Sequence, residues 1–364
     1  MSRHNLSLTM SRRSGLTSYG FGRMCRLIGV ILACLTSSIT SLAAADLTRF
    51  EARRPQMGTE VVIVIYAADQ AQADLAMAAG FSRIATLEKV MSDYDPESEL
   101  SRLVAAASIG QDRAVSADLW DVLVASRTVS RRTKGAFDIT VGPYSRLWRR
   151  ARRQGEMPDP ERLATAAESV GYQFLRLLPR QQAVEFLRAG MRLDLGGIGK
   201  GFAADAALQA MQTHGVTIAL VDCGGDIVLG DAPPGRAGWK VGIAGVGQGY
   251  AEYIVELSGV GVATSGDAFQ FVEIDGIRYS HIIHPRTGVG LTSRSSVTVI
   301  APNGTDADAL ASAVSVLGPS EGLRLAARWR GVEAQVLVLK NGQLLRRTTR
   351  RFPSAAQLTP TAVY

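Results

Sequence analysis

Residues Leu193–Asp205 read LDLGGIGKGFAAD. Leu193, Asp194 and Leu195 alternate in character, as at a strand end. Gly196, Gly197, Gly199 and Gly201 then make a tight turn that carries one cation, Lys200. The Ala-rich run Phe202–Met211 reads as a helix. A strand, a glycine turn and a helix together bring main chain close to a phosphorylated ligand, because glycine lets backbone approach and a helix N-terminus presents free N–H groups and positive dipole. The spacing fits neither G-x-G-x-x-G nor the P-loop, so a purely structural connection is the competing reading.

Working outward, strands are expected at Thr59–Tyr66, Ala183–Leu187, Gly190–Leu195, Thr217–Val221, Trp239–Ile243, Tyr253–Leu257, Gly261–Ser265 and Val297–Ala301. Hairpins are expected at Gln270–Ile274 with Arg278–Ile283 around Asp275-Gly276, and at Gln335–Lys340 with Gln343–Thr348 around Asn341-Gly342. Helical spacing marks Asp69–Val90, Ser98–Leu103, Ser116–Thr133, Asp306–Leu317 and Ser320–Arg330. Gly142-Pro143 reads as a turn and Arg149–Pro160 as an exposed loop. Strands outnumber helices and follow one another in hairpins. The fold class is therefore α+β, with mixed or antiparallel sheets and paired helices, rather than a doubly wound parallel sheet.

A chain of 364 residues with 46% hydrophobic residues can bury a sizeable core. Its net charge of +7 is clustered, at Arg12–Arg26, at Arg127–Arg153 and at Arg346–Arg351. Anionic membrane surfaces, phosphate-bearing ligands and plain solvation all suit such clusters. No aromatic interleaving or nucleic-acid motif accompanies them, which argues against a nucleic-acid partner. Residues 1–26 are polar and basic, Leu27–Leu42 is mostly apolar, and Ala43-Ala44-Ala45 is an A-x-A cleavage signal. That order is a secretory signal peptide, with an apolar stretch too short and too polar to span a bilayer. The expected organisation is a leader at 1–45, one main domain at 46–350 and a tail at 351–364, with the mature chain in the periplasm. Past Ala45 only Cys223 remains, so no intramolecular disulfide is available.

Four blocks occur in order: MSDYDPESELSRL from Met91, GAFDITVGPYSRLW from Gly135, LDLGGIGKGFAAD with DCGGDIVLG downstream, and TSGDAFQF with YSHIIHPRTG, followed by TDADALASAVSVLG. Together they resemble the ApbE family, the FAD:protein FMN transferases, from about Met57 to Leu339. The resemblance implies an ApbE-like fold with a flavin pocket between sub-domains. It also implies transfer of FMN from FAD to a Thr or Ser hydroxyl of a target protein, with release of AMP. It implies Mg²⁺ held by Asp308, by Ser312 where the family has Thr, and by the main-chain carbonyl of Gly197. Met57, Tyr94, Ala136, Phe137, Asp138, Asp194, Lys200 and Ile283 match family positions around FAD. His281 is the natural general base, with Asp267 nearby. His284 stands where the family has Asp, which implies a changed pH profile or another carboxylate, such as Asp267, in that role. The implied partners are flavin-acceptor domains of membrane respiratory complexes that project into the periplasm, possible at the inner-membrane surface. Two other readings remain open on the same residues: a flavin-binding or delivery protein that does not transfer, and a metal-dependent FAD pyrophosphatase.

Overall fold

The computed structural model describes residues 47–246, 251–266 and 270–354. The expected leader, Asp267 and most of the expected tail lie outside the described residues. In chain order the elements are β1 (Thr48–Gln56), β2 (Thr59–Ala67), α1 (Gln70–Met91), α2 (Glu99–Ala105), β3 (Asp112–Ala114), α3 (Ala117–Arg132), α4 (Gly142–Gln154), α5 (Pro160–Ala167), β4 (Leu175–Leu178), β5 (Ala183–Phe186) and α6 (Gly199–Gln212). There follow β6 (Ala219–Cys223), β7 (Asp226–Leu229), β8 (Trp239–Ala244), β9 (Ala251–Leu257), β10 (Gly261–Gly266), β11 (Phe271–Ile274), β12 (Ile277–Ser280), β13 (Ser295–Ala301), α7 (Gly304–Ala326), β14 (Glu333–Lys340) and β15 (Gln343–Thr348).

An eight-stranded sheet in the order β1-β2-β6-β7-β10-β13-β14-β15 is the frame, and every neighbouring pair in it is antiparallel. The α+β expectation holds. Strand β2 shows why both faces of the sheet are covered. Val61, Ile63 and Ile65 point into the core shared with α1, α6 and α7, while Val62 and Val64 point to a second core with Trp239, Val241 and Tyr253 of the β8–β9 hairpin. Successive side chains of a strand alternate sides, so a continuous β-branched run is what a two-sided strand requires.

Three local expectations are corrected. Gly190–Leu195 is not a strand. Its Leu193 and Leu195 are buried and the Asp194 N–H donates to the Ile139 carbonyl at 2.7 Å, so the alternation comes from an extended segment laid against a short 3-10 turn. Gly142–Gln154, expected as a turn followed by an exposed loop, is a helix. Pro143 sits in its first turn, where a missing N–H costs nothing, and Gly155 closes it at φ 71°. Asp306–Leu317 and Ser320–Arg330 are joined as one bent element, with the bend at Gly318, φ 71°, just before Pro319. Among the described residues, no helix is long and apolar enough to cross a membrane.

Candidate functional site

The site grows from the crossing of α6 and α7. A Cβ added at Gly201 would lie 2.1 Å from the Gly304 carbonyl oxygen, and one added at Gly304 would lie 2.4 Å from Val228. Only glycine lets these helix ends approach so closely. Asp205 locks the crossing. Its carboxylate accepts from the N–H groups of Gly304 (2.7 Å) and Thr305 (2.8 Å) and from the Thr305 hydroxyl (2.6 Å), while Asn303 caps α7 by accepting from the Asp306 N–H at 2.7 Å. The final Asp of GKGFAAD is therefore the tie that aims α7, a role the sequence reading did not assign.

One turn further along α7, the buried Asp308 accepts from the Gly201 N–H at 3.1 Å. Ser312 lies one more turn along, on the same face. A Cβ at Gly197 would come to 2.9 Å from the Ser312 Oγ and 3.5 Å from the Phe137 ring. The three residues expected to hold a metal, Gly197, Asp308 and Ser312, thus meet at the glycine turn. Lys200 makes an ion pair with buried Asp226, the last residue of the DCGGD motif, which had no assigned role. Burial alone would lower the Lys200 ammonium, but Asp226 and Asp308 outweigh it and hold the group above its ordinary value. Burial, then the Asp226 charge, pushes the Asp308 carboxyl up to about 8, against the pull of Lys200 and the Gly201 N–H. Among the described residues, no cluster of three or more His, Cys, Asp or Glu side chains is arranged as a metal cage. The oxygen atoms that do converge are one carboxylate, that of Asp308, one hydroxyl, that of Ser312, and the main chain at Gly197.

A second cluster, joined to the glycine turn through Asp194, is aromatic and charged. Tyr94 is 77% exposed, and the Arg149 guanidinium lies 3.9 Å from its ring centroid. Arg149 also pairs with Asp93 at 2.6 Å and with Asp194 at 3.5 Å. Burial, then the Asp194 charge, raises the Asp93 carboxyl, and Arg149 opposes both. Asp194 accepts from the Gly196 N–H at 2.8 Å, which fixes the start of the glycine turn. Tyr94 and Asp194, expected at the flavin, are brought together. Arg149 was missed because it was placed in a loop. The signal that finds it is Tyr144, Trp148 and Ala151, buried at helical spacing on one face of α4.

Other expected flavin residues fall in different environments. Met57 occupies the β1–β2 turn at φ 52°, its N–H donating to Glu88 at 2.9 Å. Phe137 is buried beside Gly197, and Ala136 is half-buried next to it. Asp138 is already engaged: its carboxylate accepts from the Thr140 N–H (2.9 Å), the Thr140 hydroxyl (2.7 Å) and the Tyr172 N–H (2.7 Å). In this arrangement it organises the loop rather than facing a ligand. Ile283 packs with Trp148 and Ile274 and bridges to Gly290.

The two histidines hold opposite tautomers. The Nδ1 of His281 lies 3.1 Å from the Gln270 carbonyl, which can only accept, so Nδ1 carries the proton and Nε2 keeps its lone pair. Solvent reaches this residue. The surrounding protein, then the cations Arg152 and Lys200, lower its pKa, with the Gln270 carbonyl and Asp194 opposing. His281 therefore feels the charges of the α6 turn and of α4. At His284 the Arg286 N–H donates to Nδ1 at 3.1 Å. An aspartate at this position could accept the same i+2 bond. His284 thus does in neutral form what a carboxylate does as an anion. A cavity of about 660 Å³ is lined by other residues around the same crossing, among them Phe202, Asp205, Asn303 and Thr305, and contains none of the expected site residues.

Comparison with known proteins identifies the family. The ApbE family model matches residues 57–336. The FAD:protein FMN transferase of Treponema pallidum is 32% identical over 323 residues, covering 84% of this chain and 89% of that protein. The FAD:protein FMN transferase of Klebsiella pneumoniae is 31% identical, covering 79% and 83%. The crystal structure of the Pseudomonas stutzeri flavinyl transferase ApbE, apo form, superposes with a TM-score of 0.74 at 28% identity, covering 84% of this chain and 95% of that one. A family model that matches most of the chain, relatives at 31–32% identity and a shared fold lead to one assignment: this chain belongs to the ApbE family.

Proposed function

We propose that the chain is an FAD:protein FMN transferase, which passes FMN from FAD to a Thr or Ser hydroxyl on a second protein and releases AMP. The relatives' names support the transfer, and the observation that carries it here is the convergence of Gly197, Asp308 and Ser312 at the glycine turn. The donor set fits a hard divalent cation. Asp308 is a buried carboxylate held near neutrality by its surroundings, and Gly197 leaves open the space beside Ser312 that a Cβ would fill. Asp308, Ser312 and the Gly197 carbonyl would hold Mg²⁺, whose contribution is to offset charge building on the phosphoryl oxygens.

The chain's own residues do the rest. Tyr94, backed by Arg149, offers a ring face for stacking, and the N-terminus of α6 with Lys200 receives the pyrophosphate. Neutral His281 takes the acceptor hydroxyl's proton at Nε2. The hydroxyl oxygen bonds to the FMN phosphorus, the bond from that phosphorus to the bridging oxygen breaks, and the bridging oxygen leaves on AMP. The leader pattern supports export, so we place the reaction in the periplasm, on flavin-acceptor domains of membrane complexes.

The test is a mass measurement. The mature chain is incubated with FAD, Mg²⁺ and an acceptor domain carrying its target Thr. A gain of one FMN on the acceptor, lost with chelator and in Asp308→Ala, is the expected result. FAD bound intact with no gain would leave a binding protein. Free FMN and AMP beside an unmodified acceptor would leave a pyrophosphatase.

A further inference from the structure

Helix α4 has two faces of different character. Tyr144, Trp148 and Ala151 face inward, and the Trp148 Nε1 donates to the Gly288 carbonyl at 2.7 Å, clamping the helix to the turn that follows His281. On the outer side, Arg146, Arg150 and Arg153 fall at i, i+4 and i+7 and are all exposed. Exposed Arg192 extends the stripe, because a Cβ at Gly142 would lie 2.7 Å from the Arg192 Cβ.

These four cations have no acid among them. Arg149, turned inward to Asp93 and Asp194, is the only α4 arginine in an ion pair among the described residues. Arg150 donates to Gln154 at 2.8 Å. Beyond the helix, Asp159 is used as the cap of α5. Four arginines elsewhere do meet acids, Arg49 with Glu51, Arg53 with Glu51 and Glu60, Arg83 with Asp118 and Arg176 with Glu185. Like charges one turn apart repel and weaken a helix, and the Arg192 guanidinium is lowered first by burial and then by Arg146. A stripe that costs the fold stability and neutralises nothing within it is suited to an external anion.

We propose that the outer face of α4 is the docking surface for an acidic segment of the acceptor protein. The inference rests on the transferase reading, which requires the acceptor's hydroxyl to reach His281. Trp148 of the same helix holds the turn that follows His281 through the Gly288 carbonyl, so a protein presenting its hydroxyl there comes up beside this helix. That requirement favours a protein partner over a lipid surface.

The test uses the full mature chain with FAD and two synthetic Thr-bearing peptides, one flanked by glutamates and one by glutamines. Binding is read by fluorescence anisotropy and FMN transfer by mass. The glutamate peptide is expected to bind about tenfold more tightly at low salt and to lose that advantage as salt rises. The triple variant Arg146→Gln, Arg150→Gln, Arg153→Gln should erase the difference, the triple Lys variant should keep it, and FAD affinity should not move in either. Equal binding of both peptides by the wild type, or an advantage that survives high salt or the Gln variant, overturns the proposal. So does an unchanged peptide affinity with loss of binding to phosphatidylglycerol vesicles, which would make the face a lipid contact. If the Gln variant does not fold, the salt dependence and the Lys variant decide. Arginine-dependent binding without any FMN transfer to acceptor would sink the transferase reading and leave the docking surface standing.

Discussion

The guanidinium of Arg149 lies 3.9 Å from the centre of the Tyr94 ring and is held there by Asp93 and Asp194. One ring face is thus backed by a fixed cation, while the residue remains 77% exposed. Arg149→Ala is expected to weaken FAD binding by about tenfold, the scale of a partly desolvated cation–π contact with its support removed, and to change kcat much less. Titration of flavin fluorescence on the variant measures the first effect and steady-state kinetics the second. Equal losses in both would mean that Arg149 acts in the reaction step instead.

Asp308 contributes to the pH dependence of metal-free stability, beside Asp138, Asp205 and Asp226, whose carboxyls burial also raises. Its folded pKa, about 8, is above the unfolded carboxylate value, so the folded state binds the extra proton between the two. Stability without metal therefore falls as pH rises from about 4 to about 8. Asp308→Asn should reduce that slope. Mg²⁺ requires the ionised carboxylate, so it should raise the wild-type Tm more at pH 8 than at pH 5 and leave the Asn variant unmoved. Differential scanning fluorimetry with Mg²⁺ or chelator reads both.

The close approach of Gly201 to the Gly304 carbonyl, 2.1 Å from a would-be Cβ, makes Gly201→Ala a backbone collision rather than a side-chain one. A loss of about 3 kcal/mol is expected, at the severe end of overpacking, together with loss of metal response, since Asp308 is placed by this crossing. Gly197→Ala meets a hydroxyl at 2.9 Å and a ring at 3.5 Å. It should keep most of the stability and lose activity. Urea unfolding and the mass assay separate the two.

His284 predicts an acid limit. Burial, then Arg286, lowers its pKa, so the neutral ring and its bond from the Arg286 N–H are favoured around neutrality. As pH falls through that lowered value the ring gains a proton at Nδ1, the acceptor is lost, and the turn carrying Gly288 loosens from Trp148. His284→Asp should preserve the turn to lower pH, and His284→Ala should lose it throughout. The acid limb set by His281 should persist in His284→Asp. A kcat profile from pH 5 to 8 on the three proteins decides whether the turn contributes.

Much of the site was legible because its residues lie close together along the chain. The glycine turn and Lys200 stand at short spacings, Asp308 and Ser312 are reached through the family resemblance, and the strands of the sheet announce themselves by β-branched runs. What was hidden depends on distance in sequence. Asp205 tying the start of α7, Asp226 meeting Lys200 and Arg149 reaching Asp93 are partnerships across 20 to 100 residues. No local pattern records them. Gly190–Leu195 misled because burial of alternate residues looks the same in a ladder and in an extended loop. Gly142–Gln154 misled because proline and a run of arginine look like loop chemistry until Tyr144, Trp148 and Ala151 are seen to share a face.

Strand β2 finds its partner β6 only after more than 150 residues have intervened, and Asp308 arrives on α7 later still. During synthesis, then, the ribosome releases Tyr94, Arg149 and Lys200 well before the helix that completes the pocket. A nascent chain stopped short of Asp308 can have strands and helices but lacks the carboxylate and the hydroxyl that α7 brings to the glycine turn. The order of translation itself delays the catalyst's birth until almost the last strand has been made.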